Sequence, residues 1–551
     1  MHRRDFIRLG ASAAAAVGTL DTLARPALAQ GAAANPLPAP STPPTPMAGE
    51  CDVFVYGSTA GGVAAALEAA RGGCKVILAC PKFHPGGMVA SGLCTTDARQ
   101  QHLYGGIVTE FIAAVRAEYA RTLGESSPEW PLVREGWFYE PSVAERVFDQ
   151  LIARETNLQY WRGHHLVRAG VAERRVEWVE LDDPKGKRLR ITARTFIDCT
   201  YEGDLAAAAK VPYRVGREAR EEHGESLAGI FYMDHKKTIQ PLDVPGSGEA
   251  SPAIQAYCAR SMFTTDTEKM VRIEKPDTYE EHKIDLIPLI GDIAGGLKLR
   301  SIGAALPGKK HQMNGQIALP TSLNCPGVSW TWPEAGRHHR AALEKFHVDH
   351  AASYIWFLQN DPGVPSDLRA FWQKVGLHRD EFKTTNHWPW QIYVRQGRRI
   401  EGRAIVTQHN FVRETPNGRT PKIAQPIAVA DYMFDVHPCH DRRFAVKGCL
   451  EGVIWYSNRK GPAYAGQVPW GAMVPRKVDN LLVPVALSST HVAMSVLRME
   501  PVWMATGQIA GLAAAEAKAG RFDVAATDPD PLTRKLRLEV DPWSKGLVQP
   551  H

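Results

Sequence analysis

Residues 52–81 read DVFVYGSTAGGVAAALEAARGGCKVILACP. A run of β-branched and aromatic residues leads into a glycine-rich turn, an alanine-rich stretch of helical character follows, and a second apolar run stops at Pro81. That order predicts a strand–helix–strand unit. In such a unit the turn's backbone can approach a pyrophosphate, whose charge sits on the first N–H groups of the helix. Gly57 and Gly62 take the first and last glycine positions of the G-x-G-x-x-G spacing, with Ala60 and Gly61 between them. Two letters depart from the pattern. Thr59 stands where the middle glycine belongs, and Cys80 replaces the acidic residue that usually holds a ribose at the end of the second strand. A tight β–α turn without any ligand would read much the same, so the rest of the chain has to decide.

Just past the second strand, GGMVASGL at 86–93 supplies a second glycine loop through Gly86, Gly87 and Met88. A flavin nucleotide, longer than one turn can hold, needs such a second close approach. Residues 158–200 alternate like short strands, with Pro-Lys-Gly-Lys as a turn, and suggest an inserted antiparallel meander. Its last run reaches Asp198 and turns into YEGDLAAAA, which carries Glu202 and Gly203. Near the other end, GQIAGLAAA reads as the start of a helix marked by Gly507, Gln508 and Gly511. The positive end of such a helix suits the negative charge of a reduced flavin.

Taken in order, VYGSTAGGVAAA, HPGGMVASGL, YGGIVTEF, EPSVAERVF, FIDCTYEGDLAAAA, YRVGREAREEHGESLAGI, HWPWQIYVRQGRRIEG and NLLVPVALSSTHVAMSVLRMEPVWMATGQIAG resemble an FAD-dependent oxidoreductase family allied to the fumarate reductase and succinate dehydrogenase flavoproteins. The resemblance runs from about residue 51 to 540. It implies an α/β chain with a Rossmann-like FAD-binding domain of the glutathione reductase type, an inserted β-meander and a separate α+β substrate lobe. It also implies FAD contacts at Gly57, Gly61, Gly62, Gly86, Gly87, Met88, Asp198, Glu202, Gly203, Gly507, Gln508 and Gly511. Thr59 is ordinary within that family. Cys80 is not, which weakens the expected hold on the ribose by a few kcal/mol at most.

The organisation that follows is a first FAD-binding segment at 50–235, a substrate lobe at 236–388 rich in Pro, Trp and His, and a second FAD-binding segment at 389–540, opening with a helical reading of residues 391–408. Ahead of these, RRDFIRLG, ASAAAAVG and ALAQ resemble a twin-arginine export signal over residues 1–29, followed by a Pro/Ala-rich linker at 30–49. That route implies a periplasmic or secreted protein folded around its cofactor. A chain of 551 residues, 44% hydrophobic and 23% charged, is ordinary for a soluble protein of more than one lobe, and its mean hydropathy is −0.26. Beyond the N-terminus no segment has the ~18 apolar residues of a membrane span. The net charge of +6 falls to +4 without residues 1–29, too little and too evenly spread to argue for nucleic acid. Nine cysteines, an odd number without C-x-x-C, do not form a disulfide framework; Cys439 in DVHPCH is the one of interest.

The chemistry expected is oxidation of a small organic molecule, with electrons leaving to dioxygen, a quinone or a cytochrome. A donor that yields a hydride must also lose a proton, and a neutral histidine suits that task. His437, His440, His491 and His387 are candidates, with His437 the first choice as base and His491 the next, and the family resemblance places His437 and His491 on segments that frame the flavin. Arg395 and Arg498 are cations able to hold an anionic or polyhydroxy substrate, with Glu500 as an orienting partner. Each of these has a plain structural reading too, as a satisfied core histidine or an internal ion pair. Trp330, Trp332, Trp388 and Trp390 suit a ring-shaped ligand or a core equally. HVDH at 347–350 and HPCH at 437–440 are each short of a metal ligand set, and GRHHR, ending at Arg340, reads as a solvated helix face. The competing functional readings are a non-redox lyase or hydrolase acting on carbohydrate, suggested by the tryptophans, and a cofactor-free binding protein, suggested by Thr59 and Cys80.

Overall fold

A computed structural model describes residues 49–234, 241–317, 319–414, 418–455, 465–543 and 546. The expected export signal and nearly all of its linker lie outside them. Strand β1 (Glu50–Tyr56) is buried on both faces from Val53 onward, as a central strand of a parallel sheet must be. Helix α1 (Ala60–Arg71) follows through Gly57, and β2 (Val76–Cys80) pairs parallel to β1. Helices α2 (Ile107–Thr122) and α3 (Pro141–Ala153) lead to β3 (Leu158–Arg162). β3 is a parallel edge strand beside β2, not the first strand of the meander, and its residues after Leu158 are half-buried as befits a sheet edge. The meander proper is β4 (His165–Ala172), β5 (Arg175–Asp182) and β6 (Arg188–Asp198), antiparallel, with the Pro184–Lys187 turn between the last two.

Strand β6 joins the two parts of this sheet. Its first half pairs with β5, and its second half runs parallel to β1 on one side and to β7 (Leu481–Leu482) on the other. The sheet order is β3-β2-β1-β6-β5-β4, with β7 beside β6. This is a mixed α/β fold with a parallel core.

The middle of the chain adds a five-stranded antiparallel sheet, drawn from Met262–Thr264, Met270–Val271, Ala304–Leu306, Lys310–Gln312 and Gly376–His378. The long helix α4 (Arg337–Asn360) belongs to the same region. One continuous apolar cluster runs from β1 and α1 to Tyr257, Leu343 and Phe357 of this region. Lys310 adds a buried polar tie, pairing with Glu381 at 2.6 Å and with Glu140 beside α3.

Two elements near the C-terminus differ from the sequence reading. Residues 391–408 are not helical. They form an irregular segment with only Arg399–Ile400 in a strand, in which residues 391–400 are all buried, so no face is left for a helical period to mark. The closing helices are α5 (His491–Leu497) and α6 (Glu500–Gly520). The last helix therefore begins at Glu500 with Pro501 in its first turn, a position that tolerates proline. Gly507 and Gly511 sit two and three turns inside it. A Cβ on Gly507 would overlap the carbonyl oxygen of Gly61, and one on Gly511 that of Ala65. These two glycines let α6 and α1 pack backbone to backbone.

Candidate functional site

A cavity of about 590 Å³ opens at the C-terminal ends of β1, β2 and β6, where an α/β sheet of this kind takes its ligand. Gly57, Ser58 and Thr59 form one wall, and Thr200, Tyr201 and Glu202 form the next. Cys80 to Lys82 close one end, Trp390 and Gln391 help to close another, and the start of α4 covers the top.

The turn below this cavity is built by close approach of main chains. Gly57 has φ +97°, and a Cβ there would lie 2.7 Å from the backbone of Cys199 and Thr200. A Cβ on Gly62 would overlap the Gly57 carbonyl oxygen, so this glycine seats the helix on the strand. Thr59 is the N-cap of α1. Its Oγ1 accepts from Gly62 N–H at 3.1 Å and donates to the Cys199 carbonyl at 2.8 Å, which ties the turn to the end of β6. The second glycine loop joins this turn, because Gly86 N–H donates to Ser58 O at 2.7 Å and Met88 N–H donates to the Tyr201 hydroxyl at 2.8 Å.

Of the residues expected at a cofactor, Gly57, Thr59, Cys80, Gly87 and Glu202 line the cavity. Ala60, Gly61 and Gly62 form the first turn of α1 below it. Gly86 and Met88 support the wall from behind, and Gly203 starts the short helix after β6. Asp198 does not reach the cavity: its carboxylate accepts from Thr200 N–H, Thr200 Oγ1 and Ala206 N–H, fixing the turn after β6, and burial raises it to about 6. Gly507 and Gly511 belong to the α1–α6 contact, and Gln508 bridges Ile107 N–H and Glu68. The helix start that adjoins the cavity wall is Glu500, which accepts from the Tyr201 hydroxyl at 2.7 Å. Its other carboxylate oxygen is buried without a partner, and burial pushes its carboxyl up to about 8.

The lobe and the segment that follows it contribute further walls, two of the sequence's tryptophans among them. Trp332 donates to Glu202 at 2.9 Å, and the Trp390 ring N–H is buried without a partner at the cavity edge. Arg340 is not on a solvated face: it makes a two-pronged pair with Asp204 at 2.6 and 2.8 Å, which Arg398 joins at 3.0 Å. At the Cys80 end Lys82 pairs with Glu344 from α4, and His165 is held neutral, lowered to about 4 by burial and then by Arg337 and Lys82. Glycine-lined backbone, the open N-terminus of α1 and an unpartnered Trp390 N–H around a space of this size fit a large nucleotide such as FAD.

Four residues named for catalysis lie in one buried polar cluster. His491 Nδ1 is 2.7 Å from Gln396 Oε1, which Gln255 also approaches at 3.4 Å, and Gln255 Oε1 accepts from His437 N–H at 3.3 Å. Because an amide oxygen only accepts, His491 carries its proton on Nδ1, and Nε2 is a buried lone pair with no partner. Burial, then Arg217 and Arg399, hold it well below the usual histidine range. His437 differs. Asn324 Nδ2, which donates to Gln316 O at 2.9 Å, lies 3.0 Å from its Nδ1, and Asp435 is 3.7 Å from Nε2. Arg395 and Arg498 stand over Tyr393, their guanidinium carbons 4.5 and 5.5 Å from the ring centroid.

The other candidates fall outside this cluster. The Nδ1 of His387 faces the Glu381 carbonyl, and His440 packs edge-on against Trp330. His347 and His350 face the carbonyls of Leu343 and Ser322. Among the described residues no group of three or more His, Cys, Asp or Glu is placed to hold a metal. None of the nine cysteines is in a disulfide, and the Cys439 thiol is raised to about 12 by burial. No described helix is long and apolar enough to cross a membrane.

A family model described as FAD dependent oxidoreductase matches residues 52–537. No curated protein is matched. Among solved structures, the myxobacterial chondrochloren halogenase is 16% identical over 41% of this chain and 45% of its own, with a TM-score of 0.24. Glycerol-3-phosphate dehydrogenase from Bacillus halodurans, complexed with FAD, is 13% identical over 36% and 46%, with a TM-score of 0.22. Mycobacterium smegmatis Sdh1 is 13% identical over 31% and 41%, with a TM-score of 0.21. The chain thus spans less than half the length of each of these structures.

Proposed function

The chain belongs to the FAD dependent oxidoreductase family, and from that premise we propose that it oxidises a small organic donor of the alcohol, sugar-like or hydroxy-acid type. FAD is its cofactor and, when bound, supplies the hydride acceptor. Gly57, Ser58 and the open N–H groups of α1 would hold the diphosphate, with Cys80, Lys82 and Glu344 at the ribose end. The first turn of α6 directs its positive end toward the inner wall of the cavity through Glu500 and Tyr201.

The observation that carries the reading is the state of His491: neutral, its tautomer fixed by Gln396, and its Nε2 open. Such a group accepts a hydroxyl proton in the step that releases a hydride from the same carbon. His437, with Nδ1 beside an amide donor, positions the neighbourhood of the donor rather than taking its proton. The two electrons then leave to dioxygen or to a quinone or cytochrome. We place this work outside the cytoplasm on the strength of Arg3, Arg4 and the Ala27–Ala29 cleavage pattern.

Anaerobic mixing of the purified holoprotein with sugars, polyols, hydroxy acids and amines, followed at the flavin absorption band, tests the reading. Bleaching by one class supports it and names the donor. A protein that retains FAD but is bleached by none of them would overturn it.

A further inference from the structure

Three arginines converge on one tyrosine. The guanidinium carbons of Arg260, Arg395 and Arg498 lie 5.4, 4.5 and 5.5 Å from the centroid of the Tyr393 ring. All three are buried, at 3, 0 and 2% exposure. Among the described residues neither Arg260 nor Arg395 forms an ion pair; Arg498 pairs with Asp435 at 3.0 Å. Arg395 instead donates to the Ala256 carbonyl, Cys258 Sγ and Asn314 Oδ1. The Nε atoms of all three arginines are buried without a partner.

Three buried cations faced by two carboxylates, Asp435 and the more distant Asp97, leave a positive excess inside the protein. An unpaired buried charge is strongly unfavourable unless an anion completes it. The guanidinium fork matches the two oxygens of a carboxylate better than any spherical ion. The same neighbourhood holds buried acceptors without donors, Asn324 Oδ1, Asp435 Oδ1 and the open Nε2 of His491. The first two flank His437. The complement of unpartnered donors beside unpartnered acceptors is a small molecule with a carboxylate next to a hydroxyl.

The cluster also stands where a donor has to be. Gln391 lines the cofactor cavity, and Tyr393 is only two residues on, so roughly 7 Å at most separates their Cα atoms. Arg498 precedes by two residues the Glu500 that binds the cavity's Tyr201, and Arg395 is next to the Gln396 that orients His491.

We infer that Arg260, Arg395 and Arg498 form the seat for the carboxylate of a small hydroxy acid, whose hydroxyl donates to the open Nε2 of His491. This rests on the donor-oxidation reading and narrows it to one class.

Anaerobic titration calorimetry of the holoprotein with its flavin already reduced, using glycolate, lactate, lactamide, propionate, chloride and phosphate, tests the seat without turnover. Lactate and glycolate are expected to bind, lactamide at least 100-fold more weakly and propionate about tenfold more weakly. Arg260→Gln and Arg395→Gln are expected to weaken lactate at least 30-fold with FAD content unchanged, and Arg260→Lys to recover part of that loss. Lactamide binding as tightly as lactate, or chloride or phosphate competing equally with it, overturns the seat. If the variants do not fold, the acid–amide comparison on the unaltered protein decides alone. Binding of lactate without bleaching fells the oxidation reading and leaves the seat; bleaching by neutral alcohols with no preference for acids does the reverse.

Discussion

His491 Nδ1 lies 2.7 Å from Gln396 Oε1, and that one contact determines which nitrogen of the ring is free for chemistry. The imidazole is buried, neutral and open at Nε2. Replacing His491 with Gln is expected to lower the rate of flavin reduction by about 10²–10⁴ while leaving FAD content unchanged, the usual effect of removing a positioned base. His437→Gln should cost less than about tenfold, because its Nδ1 already faces the Asn324 amide. Stopped-flow reduction of the two variants compares them directly. A His491→Gln protein reduced at the unaltered rate moves the base elsewhere.

Glu500 ties stability to pH. Burial raises its carboxyl from 4.5 to about 8, opposed only by the Tyr201 hydroxyl. The folded protein therefore holds this proton more tightly than the unfolded chain does between those values. The contribution is complete below about pH 4.5 and disappears as pH rises through about 8. Glu500→Gln keeps an oxygen for Tyr201 and cannot ionise. Its melting temperature should fall less between pH 5 and pH 9 than that of the unaltered protein, a gap corresponding to roughly 3–5 kcal/mol at the alkaline end. Parallel melting curves would exclude Glu500 as the source.

The contact of α1 with α6 makes a sharper stability prediction. Gly507→Ala drives a methyl group into the Gly61 carbonyl and should cost about 3 kcal/mol in urea unfolding. Gly291→Ala is the control: nothing lies within 4 Å of its Cβ position, and the residue is inside a helix. It should stabilise by about 0.5–1 kcal/mol. A Gly507→Ala protein as stable as the parent would mean that the two helices can part without loss.

How much of this was legible follows from what each residue does. The β1–α1–β2 unit is local, and its apolar runs and glycines announce it. The same glycines turn out to serve chain-to-chain approach: Gly57 against Thr200, Gly62 against Gly57, Gly507 against Gly61. A glycine spacing shows that backbones meet, not what meets them. The start of α6 was misplaced because GQIAGLAAA is the most helix-prone stretch, whereas Pro501 was the better signal. Residues 391–408 misled for a related reason, since buried arginines such as Arg395 and Arg399 read as the polar face of a helix. Tyr201 lies inside FIDCTYEGDLAAAA without being singled out by it, and Arg260 lies in none of the motifs. Their importance comes from partners more than 100 residues away, Glu500 and Tyr393.

Cys80 is the letter that first cast doubt on the nucleotide site, and the lobe supplies a physical answer. Cys80 Sγ accepts from Lys82 N–H at 3.4 Å at the end of β2, and Lys82 pairs with Glu344, which lines the same cavity from α4. The carboxylate missing from the strand thus has a counterpart on the helix above it. If Glu344 takes that role toward the ribose, Glu344→Gln should raise the dissociation constant for FAD by about 10–100-fold, the worth of one hydrogen bond to a charged group. Cys80→Asp in the same background would restore the carboxylate to its customary place and recover most of the loss. Fluorescence titration of apoprotein with FAD measures both. Unchanged affinity in Glu344→Gln would leave the ribose end held by main chain alone, and a Cys80→Asp that fails to rescue a real loss would assign Glu344 to orienting Lys82 instead.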